Sequence, residues 1–200
     1  MALLFAKNNS LSAVTALPAS ISGGGFNLIS TQTASSSSTI SFTSGIDSTY
    51  KEYIFKIINC HPATDNVNFQ VNFRDGGSSY DATKTTTFFS AYHNEAGGTS
   101  NLGYVGGSDL AQGTGVQRLS TAVGNDSDHC ISGTLHLFNP SSTTFIKHFI
   151  ATTNITEQSD FTENSYIAGY CNVTAAIDSV QFSFSSGNID SGIIKMYGVT

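Results

Sequence analysis

Between Val67 and Arg74 the chain alternates without a break. Val67, Phe69, Val71 and Phe73 are apolar, and Asn68, Gln70, Asn72 and Arg74 are polar. Successive side chains of an extended strand point to opposite faces, so this stretch makes a strand with one face in a core and the other outside it. The same period recurs at Ile40 and Phe42 among Ser and Thr, and at Val180, Phe182 and Phe184 between Gln181, Ser183 and Ser185. Tyr50 to Cys60 is apolar on both faces, with Tyr53, Phe55 and Ile57 on one and Ile54 and Ile58 on the other, which suits a central strand. Turn residues separate these runs at His61–Asn66, Asp75-Gly76-Gly77 and Ser186-Gly187-Asn188. Ile131 to Phe138 and Thr144 to Thr152 flank Asn139-Pro140-Ser141-Ser142 and read as a hairpin. Further strands are expected at Thr85–Tyr92, Tyr166–Val173 and Ile193–Val199, with Ile155–Asn164 as a polar loop. Eight or nine short strands predict an all-β fold, a jelly-roll-type two-sheet antiparallel sandwich.

Composition narrows what such a sandwich does. Ser, Thr, Asn and Gly make up 86 of the 200 residues, and only 11% are charged. With 39% hydrophobic residues the chain can bury a core, but its surface must be hydroxyl- and amide-rich rather than ionic. Eight Lys and Arg against fourteen Asp and Glu give a net charge of −6, without the basic stripe of a nucleic-acid binder. No run approaches the ~18 apolar residues of a membrane helix. The first residues, Met1 to Lys7, lack the basic region and apolar length expected of a secretory signal. Cys60, Cys130 and Cys171 are odd in number and widely spaced, so free thiols are expected.

Residues 1–38 differ from the rest and read as an N-terminal anchoring arm on a domain spanning 39–200. Leu3, Leu4 and Phe5 form an apolar tip, and Leu11, Val14 and Leu17 recur at roughly helical spacing before Pro18. Gly23-Gly24-Gly25 breaks the chain and Ser35–Ser38 reads as a hinge. Such an arm is expected to dock on another chain, with folding back on its own domain as the alternative. Glycines cluster between 93 and 129, where long projecting loops are expected, with Tyr92, His93 and Tyr104 as the residues facing a ligand.

Reactive side chains form no recognisable catalytic set. His136 and His148 flank the hairpin turn, but two imidazoles fall short of the four ligands of a structural zinc site. Asp128-His129-Cys130 supplies part of a nucleophile arrangement without a third group. Gly124–Asp128 offers oxygens without the spaced acidic pattern of a calcium loop, and Gly113-Thr114-Gly115 is not followed by a dinucleotide fingerprint. Phe88, Phe89 and Tyr92 are candidates for a sugar-stacking platform, with core packing as the favoured reading. A glycosidase carboxylate pair is spatial and invisible in sequence. No enzyme activity, cofactor or metal is expected.

The order of several turn and strand signatures resembles a group of virion structural proteins of tailed bacteriophages that infect aquatic bacteria, including cyanobacteria. The resemblance rests on Thr31–Ser36, Ile46–Tyr53, His61–Asp65, Asp75–Gly77, Gly133–Leu135, Phe138–Ser142 and, most specifically, Ser186–Gly198. It implies a non-enzymatic capsid or tail component present in many copies, with a homotrimer as the expected assembly and the major capsid protein or tail proteins as partners. A capsid decoration (cement) protein anchored by its arm is the first expectation. A tail or head fibre module that binds host surface glycan is the second.

Overall fold

The computed structural model describes residues 25–200, which are all-β with no helix among them. Twelve strands follow one another: β1 (Phe26–Ser37), β2 (Ile40–Phe42), β3 (Glu52–Pro62), β4 (Phe69–Arg74), β5 (Lys84–Asn94), β6 (Ser100–Tyr104), β7 (Gln117–Arg118), β8 (Ile131–Phe138), β9 (Lys147–Glu157), β10 (Phe161–Cys171), β11 (Ser179–Phe184) and β12 (Ile189–Val199). Eight of them form one antiparallel sheet in the order β1-β12-β3-β8-β9-β10-β5-β6, and four form a smaller sheet, β2-β11-β4-β7. The chain passes between the sheets repeatedly, and they pack as the two-sheet sandwich read from the alternation.

Phenylalanine joins the layers. Phe182 on β11 stacks with Phe69 on β4 at 5.9 Å between centroids and packs against Phe55 on β3 at 5.7 Å. Phe73 on β4 meets Phe149 on β9 at 4.9 Å. All five rings are fully buried. Burial of such large side chains, with tilted and stacked ring contacts, is the main cohesive term of the core. β3 is central as expected, between β12 and β8. Tyr53, Phe55 and Ile57 face the core, and Ile54, on the outer side, is covered by its cross-strand neighbours His136 and Tyr197.

Two expectations are corrected. Residues 26–37, assigned to the arm and its serine hinge, form β1, which pairs with β12 from Phe26↔Val199 to Ser37↔Ile189. Its side chains gave a weak pattern because it is an edge strand, mostly exposed, whose stability comes from the backbone ladder. The domain therefore begins near Phe26. Leu3, Leu4, Phe5, Leu11, Val14 and Leu17 lie outside the described residues. Secondly, Ile155–Asn164 is no loop. β9 continues to Glu157, Asp160 (φ 59°) closes a tight turn, and β10 starts at Phe161. The inward positions here mix Ile155 and Phe161 with the polar Thr153, Glu163 and Ser165, so the core-facing row carried only a weak hydrophobic signal.

The 93–129 region holds two short strands and loops, and its later part does not project: Leu119, Ser120 and Val123 are fully buried. Gln117 fastens it: its side chain accepts from Thr86 Oγ1 at 2.6 Å and donates to the Ser108 carbonyl at 2.9 Å, all buried. No helix among the described residues is long and apolar enough to cross a membrane.

Candidate functional site

The three residues expected to face a ligand together do not share a surface. Tyr92 and His93 are consecutive on β5 and so point to opposite faces of the large sheet. Tyr92 lies on the inner face at one end of the sandwich. His93 is exposed on the outer face, as is Tyr104 on β6, which stands opposite Phe89 and donates its hydroxyl to Asp109 Oδ2 at 2.5 Å. The candidate stacking platform divides in the same way: Phe88 is fully buried and Phe89 is exposed.

Tyr92 lines a cleft of about 220 Å³ with Thr99, Thr121, Glu157, Phe161 and Glu163. Two cross-strand rows form it. In one, Tyr92 stands opposite Glu163, and Glu163 opposite Ile155; in the next, Phe161 stands between Asn94 and Glu157. The segment after β7 covers this end of the sheet because Val123 bridges to both Val67 and Glu157. From that segment the Thr121 hydroxyl reaches Glu163 Oε1 and Oε2 at 3.0 and 2.9 Å, and Ser165 Oγ donates to Oε1 at 2.9 Å. Glu163 is thereby fixed while only 7% exposed. Glu157 accepts from the Ser159 backbone N–H at 2.9 Å. The Tyr92 and Phe161 rings meet edge to face, 5.6 Å apart at 73°, and make a corner rather than a flat platform. Sequence reasoning missed Thr121, Glu157, Phe161 and Glu163. The usable signal was period two: Ile167, Ser165, Glu163 and Phe161 continue inward from a strand already recognised.

The other sequence candidates are placed apart or held by structural bonds. His136 stands opposite Ile150, and His148 opposite Tyr170, so the two imidazoles do not face each other. His136 Nδ1 lies 2.6 Å from Glu52 Oε1. Asp126, in the suspected calcium loop, gives its carbonyl to the His129 N–H at 2.8 Å and to His61 Nε2 at 3.1 Å. Among the described residues no group of three or more His, Cys, Asp or Glu is placed to hold a metal ion. His129 is buried, with Nε2 3.6 Å from Asp160 Oδ1. The neighbouring Cys130 thiol is pushed up by burial and by the Asp128 charge, the reverse of an activated nucleophile. All three cysteines are free.

A second surface is the outer face of the large sheet. It carries eight of the ten large hydrophobic side chains exposed among the described residues, Val116 and Phe145 being the other two. Tyr104, Phe89 and Tyr166 form a row across β6, β5 and β10, with Phe89 stacked on Tyr166 at 4.9 Å and 10°. Beside them Thr87, His148, Ile150, Ala168 and Tyr170 line a shallow, mostly apolar depression of about 440 Å³. The outward positions of β5, β10 and β9 include no Lys, Arg, Asp or Glu.

Compared with known proteins, the chain matches no family model, and no curated protein is similar to it.

Proposed function

We propose that this chain is a non-enzymatic structural protein of a tailed-bacteriophage virion, a capsid decoration protein that works in many copies about a three-fold axis. One observation carries the reading: the outer side of half of a broad sheet is open, uncharged and set with exposed aromatic and aliphatic side chains among Thr and Asn. Contiguous apolar patches on soluble proteins mark contact surfaces, and interface cores are depleted in charge. A neutral face also suits repeated contact between copies, because its packing is insensitive to salt. The resemblance of the turn signatures to phage virion proteins supplies the setting, and residues 1–24 supply the anchor.

Incorporation into particles tests this. The double variant Phe89→Lys/Tyr166→Lys puts two charges into the face at positions that do not support the core. It is expected to keep the melting temperature within a few degrees and to lose incorporation. Deletion of residues 1–24, which spares β1, is expected to give a folded domain that also fails to attach. Normal incorporation of both variants rejects the proposal.

A further inference from the structure

The cleft at the end of the sandwich holds two carboxylates and no counter-charge. None of the ion pairs among the described residues includes Glu157 or Glu163. Buried charges are ordinarily matched by an opposite charge or a metal, because hydroxyl donors position a carboxylate without neutralising it. Thr121 shares one proton between both Glu163 oxygens and Ser165 gives one to Oε1. A carboxylate accepts about four hydrogen bonds, so Oε2 retains capacity for a further donor. Beside this fixed anion stand two aromatic rings, whose π-faces attract organic cations.

We propose that the cleft binds a primary ammonium on a short apolar stem: the lysine side chain of a partner protein. The ammonium brings three donors for Glu163 and Glu157, and the aliphatic stem packs in the corner between Tyr92 and Phe161. The alternatives fit less well. Calcium takes 6–8 oxygen ligands, and the two glutamates fall far short of such a shell. A pyranose stacks on an open ring face, whereas here the edge of one ring meets the face of the other. The space of about 220 Å³ suits one side chain, below the roughly 300–1,000 Å³ of small-molecule pockets. The site lies on the inner side of the sheet, away from the uncharged outer face, and the inference does not depend on the virion reading.

The test is an amide chemical-shift titration of the full chain at neutral pH with Nα-acetyl-lysinamide. Its Nε-acetylated form serves as a neutral control and glucosamine as the amino-sugar arm. Saturable shifts at Thr99, Thr121, Phe161 and Glu163 are expected with the lysine probe and not with the neutral control. Glu163→Gln is expected to weaken binding about tenfold, the order of a charge-assisted hydrogen bond. Glu157→Gln, at a half-exposed position that does not support the core, is expected to weaken it several-fold without changing the fold. Absence of saturable shifts, equal response to the neutral control, or tighter binding of glucosamine than of the lysine probe each overturns the proposal.

Discussion

Lys84 stands directly across from Cys171 in the β5–β10 ladder, and neither side chain has any exposed surface. On the other side of Cys171 stands Lys147, equally buried. Two ammonium groups thus flank a thiol in one inward row. Lys84 Nζ donates to Asn72 Oδ1 and to the Ala82 carbonyl, both at 2.6 Å, and Lys147 Nζ donates to the Val173 and Ala175 carbonyls at 2.8 and 2.5 Å. Asn72 belongs to the small sheet, so Lys84 ties the two layers together through a neutral acceptor.

Burial pushes Lys84 down from 10.5 to about 8 and lowers Lys147 as well. Between about 8 and 10.5 the unfolded chain holds more protons at Lys84 than the folded one, so folding stability rises with pH across that window. Below about 8 the full cost of a buried ammonium is felt, on the order of 3 kcal/mol. The thiols act the other way, because Cys60 and Cys171 stay neutral to about 12 in the fold while the unfolded thiols ionise near 9. Comparison with Lys84→Met, made in a Cys171→Ala background because the Lys84 charge itself lowers the Cys171 thiol, cancels the remaining thiol contribution. Urea denaturation across this pH range is expected to show the parent gaining about 2–3 kcal/mol on the variant between neutral pH and pH ~10. A difference independent of pH contradicts this account of Lys84.

The thiols give a second expectation. Cys60 and Cys171 are fully buried and held up to about 12, whereas Cys130 is half-buried and raised by desolvation and by Asp128. Since the thiolate is the reactive form, an aromatic disulfide reagent at mildly alkaline pH is expected to modify Cys130 slowly in the native protein. The other two should react only after addition of denaturant. Rapid native modification of more than one thiol contradicts the placement.

How far the sequence disclosed this molecule depended on which faces carried contrast. Val71 and Phe73, set among Asn and Gln, announced β4 because one face is core and the other is not. Glu163 and Ser165 face inward on β10, where the cleft and its hydroxyl network replace the core, and polarity there looked like a loop. Phe26 to Ser37 forms a strand through its ladder with β12, and backbone hydrogen bonds leave no trace in residue type. Tyr92 was singled out and does line a cleft, but its partners Thr121 and Phe161 are remote in sequence and meet it only through sheet register. The outer face was the hardest to read, since its exposed aromatics share their strands with core residues one position away.

Phe182 is the best single probe of the core. It is fully buried and packs against Phe42, Phe55 and Phe69, which come from three other strands in both sheets. Truncation to Ala removes the ring and leaves a cavity whose aromatic walls cannot collapse far. Phe182→Ala is expected to cost about 3–5 kcal/mol in chemical denaturation, whereas exposed Phe145→Ala is expected to stay within about 0.5 kcal/mol. Equal effects at the two sites are incompatible with the packing described.

Gly192 tests the backbone rather than the core. It lies on β12 where the register with β3 shifts, and its φ of +126° is one that side-chain-bearing residues rarely adopt. A Cβ placed there would sit 2.6 Å from Cys60 Cα and 2.8 Å from the Asn59 carbonyl oxygen, both main-chain atoms that can yield only if the sheet shifts. Ala in place of a glycine at a compatible position slightly stabilises a fold by restricting the unfolded chain, so the sign of the change reports on the native geometry. Gly192→Ala is expected to destabilise by about 2 kcal/mol or more. Gly98 has open space around its Cβ position and no positive φ, and Gly98→Ala is expected to be neutral or slightly stabilising. Melting of the two variants side by side checks the prediction, and a Gly192→Ala protein as stable as its parent rules out the β3–β12 register at Cys60.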